Sequence, residues 1–432
     1  MFERFLELVE RGPHAVAMVA NDVHVTRGQL LDRANELAAE LIGARMTAGD
    51  ALAIQLPNSI EFVAGFLAAV KLRLVVVPID RDAAASEVAT ILSHFSVRAI
   101  LECGGIATTF QSGGDAAALL KDACLIKLSS GSTGQPKGIV TTAENLIGDC
   151  TNICATMGIA PHDINLGAIP FSHSYGFSNL VTPLILQGTP IVVTNDYLPQ
   201  ALVDLANRHR CTVAPLIPMV YEHLIVAAHG EFETVRTFIS AGAPLPAHTS
   251  RRFRERFGVD IHSFYGTSET GGITYDRRGG AVERGTVGSA MEGVELSIEN
   301  ARLTVRGRSV SGGVFVTDDL VELREDGELA LTGRASDLIN TAGKKVNPRE
   351  VEAVILQIDG VREAKVYGEP AGARGEVVAA AVVASPDVTR DVVRAFCRAR
   401  LSLHKVPRIV KLVDAMPVDD RGKIRRAALA AL

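Results

Sequence analysis

The sequence predicts an α/β protein: a large N-terminal domain of two doubly wound sheets with a small β-barrel-like part, followed by a small α+β C-terminal domain. Three observations predict it. Apolar runs of strand length alternate with helical-period segments through the first part of the chain. Short strands with frequent glycines replace that alternation from Gly285 to Leu331, and a separate strand–helix pattern starts after Gly333. A chain of 432 residues also exceeds one ordinary core. The boundary is placed between residues 333 and 334, near Gly333 to Asp337.

Thr26-x-x-Gln29 has the form of a capping box, and Leu30, Ala34, Leu37, Ala38 and Leu41 follow at helical spacing. Ala51 to Leu56 reads as a strand, Ser59 to Leu72 as a helix, and Leu74 to Pro78 as the next strand. Ala84 to Phe95 is expected to be helical and Arg98 to Leu101 a strand, so the sheet is largely parallel. Gly104 to Asp115 reads as loop. A second α/β stretch spans Leu180 to Asp260. Val294 to Ile298, Leu303 to Val305 and Val314 to Val316 are short strands. In the last unit, Glu350 to Gln357 and Thr389 to Leu401 read as helices. Ala364 to Tyr367, Val377 to Val383 and Arg408 to Val413 read as strands.

Composition narrows the function classes. Hydrophobic residues make up 47% and charged residues 22%, as in ordinary soluble proteins, and a net charge of -5 gives no ground for expecting nucleic-acid binding. Met1-Phe2-Glu3-Arg4-Phe5 lacks the basic start and apolar stretch of a signal peptide. Phe62 to Pro78, the best spanning candidate, is broken by Lys71 and Arg73, so no membrane span is expected. The six cysteines show no C-x-x-C spacing, and Cys150 and Cys154 are expected to be buried thiols rather than metal ligands. The expectation is a reduced, cytoplasmic protein.

The chemistry concentrates in Leu128-Ser129-Ser130-Gly131-Ser132-Thr133-Gly134-Gln135-Pro136-Lys137-Gly138, which follows the apolar segment Ala123 to Leu128. Glycines let backbone N–H groups point at an anion, hydroxyls add donors, and the lysine adds a cation. That suits a polyphosphate. It is not a Walker loop, which counting from Gly131 would need glycine at Pro136 and Ser or Thr at Gly138. A plain Gly/Ser surface loop is the weaker alternative, given the Pro-Lys-Gly ending.

Further motifs follow in order. They are Ser240-Ala241-Gly242-Ala243-Pro244-Leu245, Phe264-Tyr265-Gly266-Thr267-Ser268-Glu269, and Gly285-Thr286-Val287-Gly288 with Met291 to Glu295. Thr317-Asp318-Asp319, Gly333-Arg334-Ala335-Ser336-Asp337 and Gly343-Lys344-Lys345-Val346-Asn347-Pro348 come next, and Met416-Pro417-Val418-Asp419-Asp420-Arg421-Gly422-Lys423-Ile424-Arg425-Arg426 closes the series. Taken singly, each has a bland alternative: a tight turn, solvated aspartates, a basic tail. In this order, from about Phe2 to Leu432, they resemble the adenylate-forming superfamily of acyl-CoA synthetases, aryl-acid ligases, peptide-synthetase adenylation domains and firefly luciferase.

The resemblance implies a site. Ser129, Ser130, Gly131, Ser132, Thr133, Gly134 and Lys137 would hold ATP phosphates. Gly242 and Ala243 would let adenine and the acyl group approach the backbone. Tyr265 would lie along the adenine beside Gly266, Ser268 would meet the α-phosphate, and Glu269 would assist Mg²⁺, since a carboxylate suits a hard cation. Asp319 would accept the ribose hydroxyls, with Asp318 standing where the family has glycine. Arg334 would meet ribose or phosphate oxygens. Ser336 stands where many relatives carry the Asp or Lys about which the small domain rotates. Lys423 would stabilise charge building at the α-phosphorus, making Lys423, Glu269 and Thr133 the catalytic set.

Pro170 to Phe177 occupies the family's acyl-contacting segment, so His173, Tyr175, Phe177 and Gly242 would line the acyl pocket. A packed histidine at a helix start is the alternative for His173. No acidic residue lies between Asp163 and Asp196 to hold a substrate ammonium, which favours an acid without an α-amino group. The implied function is an ATP-dependent carboxylic acid ligase that makes an acyl-adenylate and passes the acyl group to a thiol. Gly343 and Lys344 would line the thiol tunnel, with coenzyme A favoured. Lys405, Arg408, Lys411, Arg421, Arg425 and Arg426 are candidate partners for its phosphates, or a solvated basic face. The alternatives are loading of an acyl carrier protein through its phosphopantetheine, and a non-catalytic family member.

Overall fold

The computed structural model describes residues 1–109, 122–130, 136–341, 344–370, 376–417 and 429. It is organised as two compact units. The first comprises Met1–Leu296, Val305–Phe315 and Glu325–Leu329; the second comprises Ser297–Thr304, Val316–Arg324 and Ala330–Leu432.

The first unit contains two large sheets. In one, strands run in the order Gly105–Thr108, Val97–Glu102, Ala51–Ile54, Val75–Pro78, Leu125–Ser130, Pro136–Thr141. Its central pairings are parallel and its two edge pairings antiparallel. The edge strand Gly105–Thr108 falls where the sequence reads as loop. It is a short, half-exposed hairpin return, and glycine and alanine gave it no strand signature. The other sheet runs Ser289–Ala290, Gly271–Tyr275, Ile261–Thr267, Thr237–Ser240, Val213–Leu216, Asn165–Gly167, Ile191–Val193, Val16–Ala20, Val23–Thr26. It is parallel from Ile261–Thr267 through to Val16–Ala20.

Both sheets are covered on two faces, as double winding requires. In Ala51–Ile54, Leu52 and Ile54 join a core with helices Arg27–Gly43 and Ile60–Lys71. Ala51 and Ala53 face the opposite way, into a core with Ile91 of helix Ala85–His94. The second sheet's other face packs on Leu202, Tyr221 and Phe253 from helices Pro199–Arg208, Pro218–Ala227 and Ala247–Phe257. The capping box is present: the Gln29 N–H donates to Thr26 Oγ1 at 3.2 Å, and the Thr26 N–H donates to Gln29 Oε1 at 2.9 Å.

Strands Val294–Glu299, Arg302–Gly307, Val314–Leu323 and Leu329–Arg334 form a four-stranded sheet in chain order, the glycine-punctuated region of the sequence. In the second unit, Val361–Pro370, Glu376–Ala384 and Ile409–Leu412 make a three-stranded sheet. Helices Pro348–Ile355 and Arg390–Arg398 bury Val351, Ile355, Val393 and Cys397 in one core with Val366, Val378 and Val410 of its strands. No helix among the described residues is long and apolar enough to cross a membrane. Cys150 and Cys154 are buried free thiols one helical turn apart, with Sγ atoms at 3.9 Å, and no metal-holding cluster occurs among the described residues.

Candidate active site

The phosphate-loop motif sits in a hairpin. Strand Leu125–Ser130 pairs antiparallel with Pro136–Thr141, with Ser129 opposite Lys137 and Ser130 opposite Pro136. The sequence between them, with Gly131, Ser132, Thr133 and Gly134, lies outside the described residues, as do Gly343 and Lys423. At the hairpin's second strand the exposed Lys137 ammonium stands 3.1 Å from Glu269 Oε1. The structure therefore brings together two predicted site residues that are 132 positions apart in sequence.

Glu269 is presented by a turn built from its neighbours. The Thr267 N–H donates to Thr270 Oγ1 at 3.2 Å, and the Thr270 N–H donates to Thr267 Oγ1 at 3.3 Å. The Glu269 carbonyl accepts from Ser311 N–H at 2.9 Å, and the Ser174 hydroxyl donates to Ser268 Oγ at 3.0 Å. Tyr265 is half-buried in strand Ile261–Thr267, opposite Thr274. Gly242 and Ala243 are exposed just past the carboxyl end of strand Thr237–Ser240, with Gly242 at φ +83°. Ligands of open α/β sheets bind at that end.

The acyl segment divides into surface and core. His173 precedes the short helix Ser174–Gly176, and its Nε2 lies 3.2 Å from Asp80 Oδ2, just beyond strand Val75–Pro78. The segment itself carries no acid; the fold supplies one from the other sheet. The Tyr175 hydroxyl donates to the Ile239 carbonyl at 2.9 Å, and burial holds its proton well above the ordinary range. Phe177 is 1% exposed and meets Phe66 edge-on at 4.8 Å, inside the core. Of the proposed pocket residues, His173 is the one with a substantially accessible side chain, at 40%.

In the second unit, Arg334 Nε donates to Asp319 Oδ1 at 3.0 Å. The carboxylate is nearly buried and the guanidinium is 58% exposed. The two residues that depart from the usual motifs meet each other. The Asp318 carboxylate accepts from the Ser336 hydroxyl and, at 3.2 Å, from the Ser336 N–H. Lys344 is exposed in the hairpin with Ile339–Thr341. Among the basic candidates, Lys405 is paired with Glu350 at 2.6 Å and Lys411 with Glu369 at 3.5 Å.

One carboxylate with a nearby hydroxyl fits Mg²⁺, which takes few protein ligands and completes its octahedron with water and phosphate oxygens. Glu269 and Ser268 offer that donor set. The Lys137–Glu269 pair is partly solvated and contributes about 0–1 kcal/mol, so phosphates and a cation can displace it at little cost.

Known proteins match most of the length of the chain. The profile of AMP-binding enzymes covers residues 5–121 and 111–321, and that of the AMP-binding enzyme C-terminal domain covers residues 350–423. The chain belongs to the AMP-binding enzyme family, and it is an acid-thiol ligase of the acyl-CoA synthetase type. It is similar to feruloyl-CoA synthase of Amycolatopsis sp, 27% identical over 95% of this chain and 94% of the relative. It is also similar to long-chain-fatty-acid–CoA ligase FadD13 of Mycobacterium tuberculosis, 26% identical over 95% and 93% of the two chains. The fold matches ATP-bound MatB from Rhodopseudomonas palustris with a TM-score of 0.84 at 24% identity, covering 100% and 98% of the two chains. It also matches o-succinylbenzoate CoA synthetase from Bacillus subtilis in complex with its acyl-adenylate, TM-score 0.82 at 23% identity over 99% and 97%.

Proposed function

We propose that this ligase activates a carboxylic acid of the fatty or aryl type and transfers it to coenzyme A, with the functional domain boundary at residues 333/334. The observation that carries the reading is the convergence of Lys137 on Glu269 at the mouth of the Leu125–Thr141 hairpin. In the first half-reaction a carboxylate oxygen attacks the α-phosphorus, and the bond to pyrophosphate breaks. Lys137 would meet the phosphates, Ser268 the α-phosphate, Glu269 the cation, and Tyr265 with Gly242 and Ala243 the adenine. Bound Mg²⁺ would offset negative charge on the phosphate oxygens. Asp319, oriented by Arg334, would accept the ribose hydroxyls. In the second, a thiol attacks the acyl carbon and AMP departs, a far better leaving group than hydroxide from a free acid. Thr133 and Lys423 are assigned to the first half-reaction, and Gly343 with Lys344 to the thiol tunnel, on their motifs.

His173 and Asp80 at the acyl segment bear on the substrate. Their pair places an imidazole and a carboxylate beside that segment, and the choice of a fatty or aryl acid is supported by the family resemblance. Turnover of an acid panel with MgATP and free CoA, read by mass spectrometry, tests the proposal. An acyl-CoA product is expected from a fatty or aryl acid. Adenylate without acyl-CoA would reassign the acceptor to a carrier-protein phosphopantetheine.

A further inference from the structure

The acyl segment is held by residues that lie outside it. Asn58 follows strand Ala51–Ile54, in the turn before helix Ile60–Lys71, and is 6% exposed. Its amide nitrogen donates to the Gly167 carbonyl at 3.2 Å and to the Ile169 carbonyl at 2.9 Å, and its oxygen accepts from the Phe171 N–H at 2.7 Å. The Asn195 side chain braces Asn58 in turn, accepting from its N–H and donating to its carbonyl, both at 3.0 Å. One buried amide thus fixes the backbone of residues 167–171.

His173 follows at once. Its N–H donates to the Pro170 carbonyl at 3.2 Å, and its carbonyl accepts from the Phe177 N–H at 2.8 Å. With the backbone held on both sides, the freedom left to His173 is rotation of its side chain. The ring does not cap the short helix that it precedes. It turns instead to Asp80, two residues past Val75–Pro78, the strand that pairs with Ala51–Ile54. Asp80 is itself oriented: its Oδ1 accepts from the Asp82 N–H at 3.0 Å, while its Oδ2 lies 3.2 Å from His173 Nε2. An ionised carboxylate only accepts, so this hydrogen bond puts a proton on Nε2, and in the neutral ring Nδ1 keeps the lone pair. The two side chains are partly solvated, and such a pair contributes about 0–1 kcal/mol to stability. Stability alone gives little reason for so specific an arrangement.

Resting on the reading of Pro170 to Phe177 as the acid-contacting segment, we propose that Asp80 is a positioning residue that sets the ring orientation and tautomer of His173, and through them the affinity for the carboxylic acid. Asp80→Asn is the informative variant. It keeps the shape and an oxygen for the Asp82 N–H, but turns an amide donor toward Nε2. The ring must then accept at Nε2 and carry its proton on Nδ1, the reverse tautomer.

Steady-state pyrophosphate exchange by the full chain tests the proposal, with the fatty or aryl acid that the parent exchanges fastest. Asp80→Asn is expected to raise KM for that acid about tenfold, the scale for one misplaced hydrogen bond, with KM for ATP and the melting temperature as in the parent. In a His173→Ala background, where there is no ring to orient, Asp80→Asn should change nothing further. An unchanged KM for the acid in Asp80→Asn, a KM for ATP raised as much, or an effect that persists without the ring would each overturn the proposal. Long-range nitrogen–proton NMR correlations at alkaline pH read the tautomer without any acid, with the His173 signals assigned by their loss in His173→Ala. The parent should show the Nε2–H form and Asp80→Asn the Nδ1–H form; an Nδ1–H ring in the parent would also overturn the proposal. A His173→Ala protein with the parent's KM for the acid would instead overturn the acid-contacting reading itself.

Discussion

At the scale of single residues, two kinds of charge serve the site. Lys137 and Glu269 are partly solvated and pair weakly, so in the proposed role the pair would give way to phosphates and a cation at little cost. Asp319 is nearly buried and held by Arg334, so in the proposed role its acceptor geometry would be set before ribose binds. Asp319→Asn keeps the shape but replaces one acceptor oxygen by a donor. It is expected to raise KM for ATP about tenfold, with KM for the acid unchanged, in steady-state kinetics. Lys423→Ala is expected to slow adenylation by roughly two to three orders of magnitude, the scale for one aimed charge donor. Thioester formation from supplied acyl-adenylate should fall far less. Equal loss in both half-reactions would contradict the assignment of Lys423 to the first.

At the scale of elements, the turn from Thr267 to Gly271 is the critical piece. Gly271→Ala puts a side chain at φ +70° and a Cβ against Asp149, costing about 2 kcal/mol or more in strain. The expected outcome is a melting temperature lower by a few degrees and severely reduced pyrophosphate exchange; unchanged exchange would show that the turn is not what positions Glu269. This turn also shows what the sequence can and cannot reveal. Its motif is legible because Tyr265, Gly266, Ser268 and Glu269 fall within five positions and are chemically distinctive. The partners that hold it are not. Asp149 is an isolated acid in apolar surroundings, and only the fold brings it to the turn, where it accepts from the Gly272 N–H. Asp80 likewise meets His173 across 93 positions, a contact that the acyl segment's own sequence does not contain. Alternating strands and helices were readable from periodicity, whereas the exposed edge strand Gly105–Thr108 carries no apolar alternation to read.

At the scale of the molecule, the first unit contains an ionic cluster centred on a buried carboxylate. Glu328, 4% exposed, accepts from Arg284 at 2.7 and 3.1 Å, from Arg278 at 2.7 Å and from the Thr286 hydroxyl at 2.5 Å. The Arg284 hydrogen bonds are the largest cause that holds its carboxyl at about 2, below the usual 4.5. The stability this contributes, on the order of 2 kcal/mol, is complete above pH 4.5 and is lost as pH falls toward 2. Glu328→Gln should lower stability at neutral pH and flatten the loss between those values, measured by thermal melts across pH. A mutant curve parallel to the parent's through that window would remove Glu328 from the account.

Lys137, Glu269 and Asp319 are proposed to serve the adenylating step of the ligase. Carboxylate-dependent exchange of labelled pyrophosphate into ATP measures the first half-reaction without knowledge of the acceptor. The account predicts exchange with at least one fatty or aryl monocarboxylic acid, dependent on Mg²⁺ and severely reduced in Glu269→Gln. No exchange with any acid in a broad panel, by a protein that is folded and binds MgATP, would contradict it.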